Sequence, residues 1–182
     1  MTSKIEDMWS VGKKYLSQAD VVMDIGCGVR PHSIWRPNFT IYVEPHQTYI
    51  DVLKNKVPAS GCLILKKTWA EALDFFPEAS VDSACLIDII EHVQKDEALA
   101  LLERTKKLVR YQIVIFTPLG FLEQHGGEVD AWGLDGGHLQ DHLSAWDPSD
   151  LKGFKCMVSP DFHGPGQGAI LGIWSKWAQN SG

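Results

Sequence analysis

Val21-Val22-Met23-Asp24-Ile25-Gly26-Cys27-Gly28 is the stretch that decides the fold. A short apolar run broken by one acid leads straight into two glycines. That is the pattern of a buried strand followed by a turn whose main chain a ligand can approach without meeting a Cβ. The next apolar run, Thr40–Glu44, ends in an acid eighteen residues after Gly26. A carboxylate in that place can accept both hydroxyls of a ribose. A dinucleotide-binding turn normally carries a third glycine, but Val29, Arg30, Pro31 and His32 follow Gly28, which argues against a nicotinamide-dependent oxidoreductase.

Outward from this turn the chain alternates short apolar runs with longer charged stretches. Strands are predicted at Val21–Ile25, Thr40–Glu44, Cys62–Lys66, Val81–Ile87 and Gln112–Phe116. Ile5–Leu16, His46–Lys56, Trp69–Phe76 and Asp96–Val109 carry apolar residues at helical spacing. Alternation of this kind predicts an α/β fold. About a dozen residues separate Gly28 from the second strand, too few for a full crossover helix, so that connection should be short or irregular. From Thr117 to Trp146 the chain is rich in glycine, holds His125, His138 and His142, and lacks sustained periodicity. Long loops in compact domains are usually functional. Beyond it, Pro148–Phe154 reads as a short helix started by Asp147. Lys155–Ser159 and Ala169–Lys176 read as a closing hairpin.

At 182 residues and 45% hydrophobic, the chain is long enough for one domain with a substantial core. Its net charge of −6, with no basic run beyond pairs, argues against nucleic acid and anionic membranes as partners. A small molecule is the expected substrate. No apolar stretch reaches the roughly 20 residues of a membrane span, and no leader pattern follows Lys4, Lys13 and Lys14, so a soluble, cytoplasmic protein is expected. Cys27, Cys62, Cys85 and Cys156 form no CxxC pair and read as reduced core residues.

With these residues in view, the chain resembles the class I S-adenosylmethionine-dependent methyltransferases. The resemblance rests on Asp24-Ile25-Gly26-Cys27-Gly28, Tyr42-Val43-Glu44-Pro45 and Leu86-Ile87-Asp88-Ile89-Ile90-Glu91-His92-Val93. These stand in family order ahead of Ile113-Val114-Ile115-Phe116-Thr117-Pro118, and the likeness spans about residues 20 to 176. It implies a Rossmann-like, doubly wound sheet of seven strands, mostly parallel with an antiparallel C-terminal hairpin. It also implies a single domain over 1–182, with 117–146 a lid over the acceptor. S-adenosylmethionine would be the cofactor and S-adenosylhomocysteine the product.

Carried over by position, Gly26, Cys27 and Gly28 would flank the methionine part of the cofactor, with Asp24 ordering that turn. Glu44, beside Pro45, would hold the ribose. Trp69 would stack on the adenine while the amide of Ala70 reads its edge, with core packing the alternative for Trp69. Asp88 would stand beside the methyl-bearing end, unless it and Glu91 cap the next helix. Arg30 stands where many family members have glycine, and its guanidinium could pair with the methionine carboxylate. Should the acceptor need a base, His92 and His142 rank first, because imidazole titrates near neutrality.

His138 and His142, with Asp135 and Asp141, have metal-ligand spacing if helical, but Gly136-Gly137 disfavours a helix there and no metal is expected. Phe121, Trp132 and Trp146, with Gly126-Gly127 and Gly136-Gly137 as hinges, suit a mobile lid or core packing under a long loop. The expected activity is methyl transfer to oxygen or nitrogen of a small molecule. The alternative is a non-catalytic S-adenosylmethionine-binding sensor or subunit.

Overall fold

The structure is a computed structural model and describes residues 5–177. Seven strands form one sheet: β1 (Val21–Ile25), β2 (Phe39–Val43), β3 (Cys62–Leu65), β4 (Val81–Ile87), β5 (Val109–Pro118), β6 (Phe154–Gly164) and β7 (Gln167–Ser175). Their order is β3-β2-β1-β4-β5-β7-β6. The first five are parallel, whereas β7 runs antiparallel to β5 and β6 antiparallel to β7. The mostly parallel sheet with an antiparallel end agrees with the sequence reading.

Burial on both faces explains the near-continuous apolar character of the central strands. In β1, Met23 and Ile25 join one core cluster while Val22 joins the other. The first cluster is closed by α3 (Trp69–Phe75) through Ala72 and Leu73, and by α4 (Lys95–Leu108) through Ala98, Leu101, Leu102 and Leu108. The opposite face is covered by α1 (Ile5–Lys13) through Met8, and by α2 (Gln47–Leu53), whose Leu53 packs on Tyr42 and Cys27. Thr68 starts α3 with a capping box: its hydroxyl accepts from Glu71 N while the Glu71 carboxylate accepts from Thr68 N.

Between β1 and β2 there is no helix. Its place on the sheet is taken by Ile34 and the buried Trp35, whose Nε1 donates to Ser17 O at 2.9 Å. One expectation is corrected. Pro148–Asp150 is a single 3-10 turn, because Asp147 caps Ser149 N and Asp150 turns back to Asp147 N within one turn. The chain then enters β6 at Phe154, four residues after Asp150, so no longer helix forms. The parallel order also places the carboxyl ends of β1, β2, β4 and β5 along one rim, where ligands of doubly wound sheets bind. The four cysteines are free. Among the described residues no helix is long and apolar enough to cross a membrane.

Candidate active site

The turn after β1 is built as its sequence demands. Gly26 and Gly28 have φ of +68° and +53°. A Cβ on Gly26 would lie 2.1 Å from Ile89 Cδ1, so the turn packs directly on the segment after β4. A Cβ on Gly28 would meet nothing within 4 Å, which leaves open space beside the main chain there. Gly26 N and Cys27 N donate to Val43 O, tying the turn to the end of β2.

Two buried carboxylates hold this corner. Glu44, 4% exposed, accepts from Gly28 N at 3.0 Å and His46 N at 2.8 Å, one on each oxygen. A carboxylate offers about four acceptor sites, so two remain for a ligand's hydroxyls. Burial raises its pKa, against the pull of those two amides. Asp24, 2% exposed, accepts from His32 N at 3.1 Å and from the Cys85 thiol. Burial lifts its carboxyl to about 6, and the neighbouring Glu44 adds to that rise. Gly26, Cys27, Gly28 and Glu44 are thus tied together at the end of β2, and Asp24 fixes the segment after them through His32 N. Pro45 follows Glu44, exposed.

The second half of the corner is the chain after β4. Asp88 adopts φ +53°, is exposed to solvent, and is nevertheless crowded enough that desolvation raises its carboxyl to about 6. A 3-10 turn, Ile90–His92, follows. Glu91 is 2% exposed and accepts from Thr117 Oγ1 at 2.9 Å. Burial, with Asp88 nearby, pushes its carboxyl up to about 8. His92 is pushed down to about 4 by burial, and burial lowers His142 as well. The two rings meet edge to face with centroids 4.8 Å apart. His92 and His142, separated by fifty residues in the chain, therefore meet in space.

The long loop is tied to both halves. On the β2 side, the Tyr49 hydroxyl donates to Asp130 at 2.5 Å, His46 pairs with Asp135 at 2.9 Å, and Trp132 packs edge-on against Tyr49. On the β4 side, Leu143 N and Ser144 N donate to Glu91 O. Gly126 and Gly137 sit where two stretches of the loop cross: a Cβ on Gly126 would lie 1.5 Å from Gly137 O. Close backbone approach, then, accounts for these glycines. Trp146 is buried in the main core, while Phe121 is exposed.

Other predicted residues stand apart from this corner. Trp69 packs against the main core, with the Arg104 guanidinium 5.7 Å from its ring centre. Arg104 also donates to Ala70 O at 3.3 Å. Arg30 is exposed and lies 5.7 Å from the Trp132 ring, a cation–π contact between the glycine turn and the loop. His138 lies against His46, so the loop's two histidines at four-residue spacing have different neighbours and no helix joins them. The sequence reading gave no site role to the loop anchors His46, Tyr49 and Asp130, and considered Asp135 only as a metal ligand beside His138 and His142. Their partners are more than eighty residues away, and no local pattern announces such pairs.

A mostly parallel sheet of this order, with a glycine turn after β1 and an acid after β2, is a Rossmann-like fold of the methyltransferase type. Three solved structures place it more closely. A methyltransferase dependent on S-adenosylmethionine from Archaeoglobus fulgidus superposes with a TM-score of 0.56 at 17% identity, over 92% of this chain and 96% of that one. One from Mesorhizobium loti gives 0.61 at 14% identity, over 92% and 97%. The 1,6-didemethyltoxoflavin-N1-methyltransferase of Burkholderia thailandensis, solved with 1,6-didemethyltoxoflavin and S-adenosylhomocysteine bound, gives 0.62 at 14% identity, over 93% and 76%. The chain has the fold of the class I S-adenosylmethionine-dependent methyltransferases. No protein-family model matches the sequence, and no curated protein does.

Proposed function

We propose that this chain is an S-adenosylmethionine-dependent methyltransferase that acts on oxygen or nitrogen of a small molecule. One observation carries the reading. Glu44, buried at the end of β2, reaches back to Gly28 N, and open space lies beside that glycine. This corner is read as the seat of a nucleoside with an attached amino acid. The two free acceptor sites on Glu44 take its ribose hydroxyls, and the main chain of Gly26–Gly28 passes its methionine part. Asp24 orders the turn through His32 N. Ala70, after β3, is assigned the adenine edge and Arg30, after the glycine turn, the methionine carboxylate by position, while Trp69 takes its alternative role of packing on the core.

The sulfonium of this cofactor carries an already activated methyl group. The protein's task is therefore to align an acceptor and exclude water. The loop, anchored on both sides of the corner, is suited to exclusion. His92 and His142 are the groups to which an acceptor's proton would pass, although burial weakens both as bases, His92 down to about 4. Small-molecule acceptors are supported by the bound didemethyltoxoflavin of the Burkholderia neighbour. The net negative charge supports them too, since it disfavours polyanions. Four free cysteines suit a reducing compartment, which supports a cytoplasmic setting.

Isothermal titration with S-adenosylhomocysteine tests the assignment. Wild-type protein should bind at micromolar concentration, and Glu44→Ala should weaken binding by roughly 10- to 100-fold, the loss of charged hydrogen bonds to two hydroxyls. No binding by the wild type would end this reading. Binding without turnover across a panel of acceptors would instead indicate a non-catalytic sensor.

A further inference from the structure

We propose that Glu91, His92 and His142 form a binding site for one divalent transition-metal ion at the carboxyl ends of β4 and β5. One ligand atom from each of the three lies within 4.8 Å of the others. Two observations mark these groups as donors to a cation.

The first is the tautomer of the rings. His92 Nδ1 faces Asp141 O at 3.0 Å, and His142 Nδ1 faces Leu122 O at 2.5 Å. A carbonyl oxygen only accepts, so each Nδ1 carries the proton and each Nε2 keeps its lone pair. Metal-binding imidazoles are commonly oriented in this way, by a carbonyl on the far nitrogen. The Glu91 carboxylate is oriented in turn by the Thr117 hydroxyl.

The second is the backbone that brings the three together. Leu143 N and Ser144 N both donate to Glu91 O, at 2.7 and 3.1 Å, and Ser144 Oγ donates to Ile90 O at 2.9 Å. The residues directly after His142 are thus fastened to the turn that carries Glu91 and His92. The same loop is held from the other side by Asp141, whose carboxylate accepts from Gly126 N. Ligand atoms about 2.1 Å from a tetrahedral ion stand roughly 3.4 Å apart, so the side chains need to draw in by about an ångström.

Two neutral imidazoles and the carboxylate that Glu91 becomes on giving up its proton to the solvent as metal binds suit zinc, iron, manganese or cobalt. Magnesium and calcium prefer oxygen donors alone. Three protein ligands leave coordination positions open. On the methyltransferase reading, on which this use of the ion rests, an open position would hold an acceptor oxygen beside the methyl-bearing end of the cofactor and favour loss of its proton to water, the two imidazoles then serving as ligands and not as the base.

The test uses the untagged full-length protein, stripped with a chelator and titrated with cobalt(II) by visible absorption and with zinc(II), manganese(II) and magnesium(II) by calorimetry. One equivalent of cobalt or zinc should bind, with magnesium far weaker. His92→Ala and His142→Ala should each weaken binding by at least roughly 100-fold, and His125→Ala, in the exposed part of the loop, should leave it unchanged. Should an alanine variant fail to fold by circular dichroism, Glu91→Gln, which keeps the side-chain shape, decides. Absence of binding at high micromolar metal, or binding undiminished in these variants, overturns the proposal. S-adenosylhomocysteine is titrated into the same samples. Metal bound without cofactor leaves the metal site standing and removes the methyltransferase reading; cofactor bound without metal does the reverse.

Discussion

Asp24 illustrates how a residue can serve a site at a cost to the fold. Its carboxyl titrates near 6 in the folded protein, above the ordinary 3.8, because burial disfavours the charged form. The folded chain therefore holds this proton more tightly than the unfolded chain does. Stability from this group is fully present below about pH 4 and is lost as pH rises through 6, by about 3 kcal/mol. Asp24→Asn mimics the neutral acid and can still accept from His32 N. The unliganded variant should melt above the wild type at pH 7 and close to it at pH 4, as thermal denaturation at the two values would reveal. At this scale the sequence was informative wherever the constraint was local. Asp24, Gly26, Gly28 and Glu44 are set by a strand, a turn and the next strand end; the glycines are bonded to Val43 O and Glu44, and Asp24 holds the following segment at His32 N. Trp69 showed the opposite. Position alone could not separate an adenine platform from a core anchor, and the ring packs on the core beside Arg104.

At the scale of elements, strands were legible because parallel strands buried on both faces must be short and apolar, and β1 matches its expected bounds. The single turn after Asp147 was not legible as such, since Pro and a capping acid begin a 3-10 turn and a helix alike. The long loop was recognisable as a loop, but its anchors depend on pairings across more than eighty residues. Those anchors make a prediction. Tyr49→Phe removes the hydroxyl that Asp130 and Gln140 share. Hydrogen exchange and proteolytic cutting should rise within residues 126–140, with α4 and β5 unchanged. Equal protection in the variant and the wild type would mean that Trp132 and His46 hold the loop without the hydroxyl.

For the whole molecule, the consequential departure lies between β1 and β2, where Trp35 does the work of a helix. It covers one sheet face and bonds to Ser17 O, which joins the crossover to the segment after α1. Trp35→Ala should cost about 3–5 kcal/mol, a loss readable as a lower midpoint in urea with little change in slope. The doubly wound architecture itself was legible from the alternation of apolar and charged segments; how the thin crossover would be sealed was not, because a lone tryptophan in a loop has no periodicity to read. The sheet order carries one more consequence. Its two outer rims are β3, only four residues long, and β6, which carries Pro160 and loses register with β7 after Ser159. Short or interrupted rims offer a neighbouring molecule no long row of unpaired amides to latch onto. The design guards against strand-by-strand aggregation, so crowded or concentrated solutions should not seed fibrils from either side.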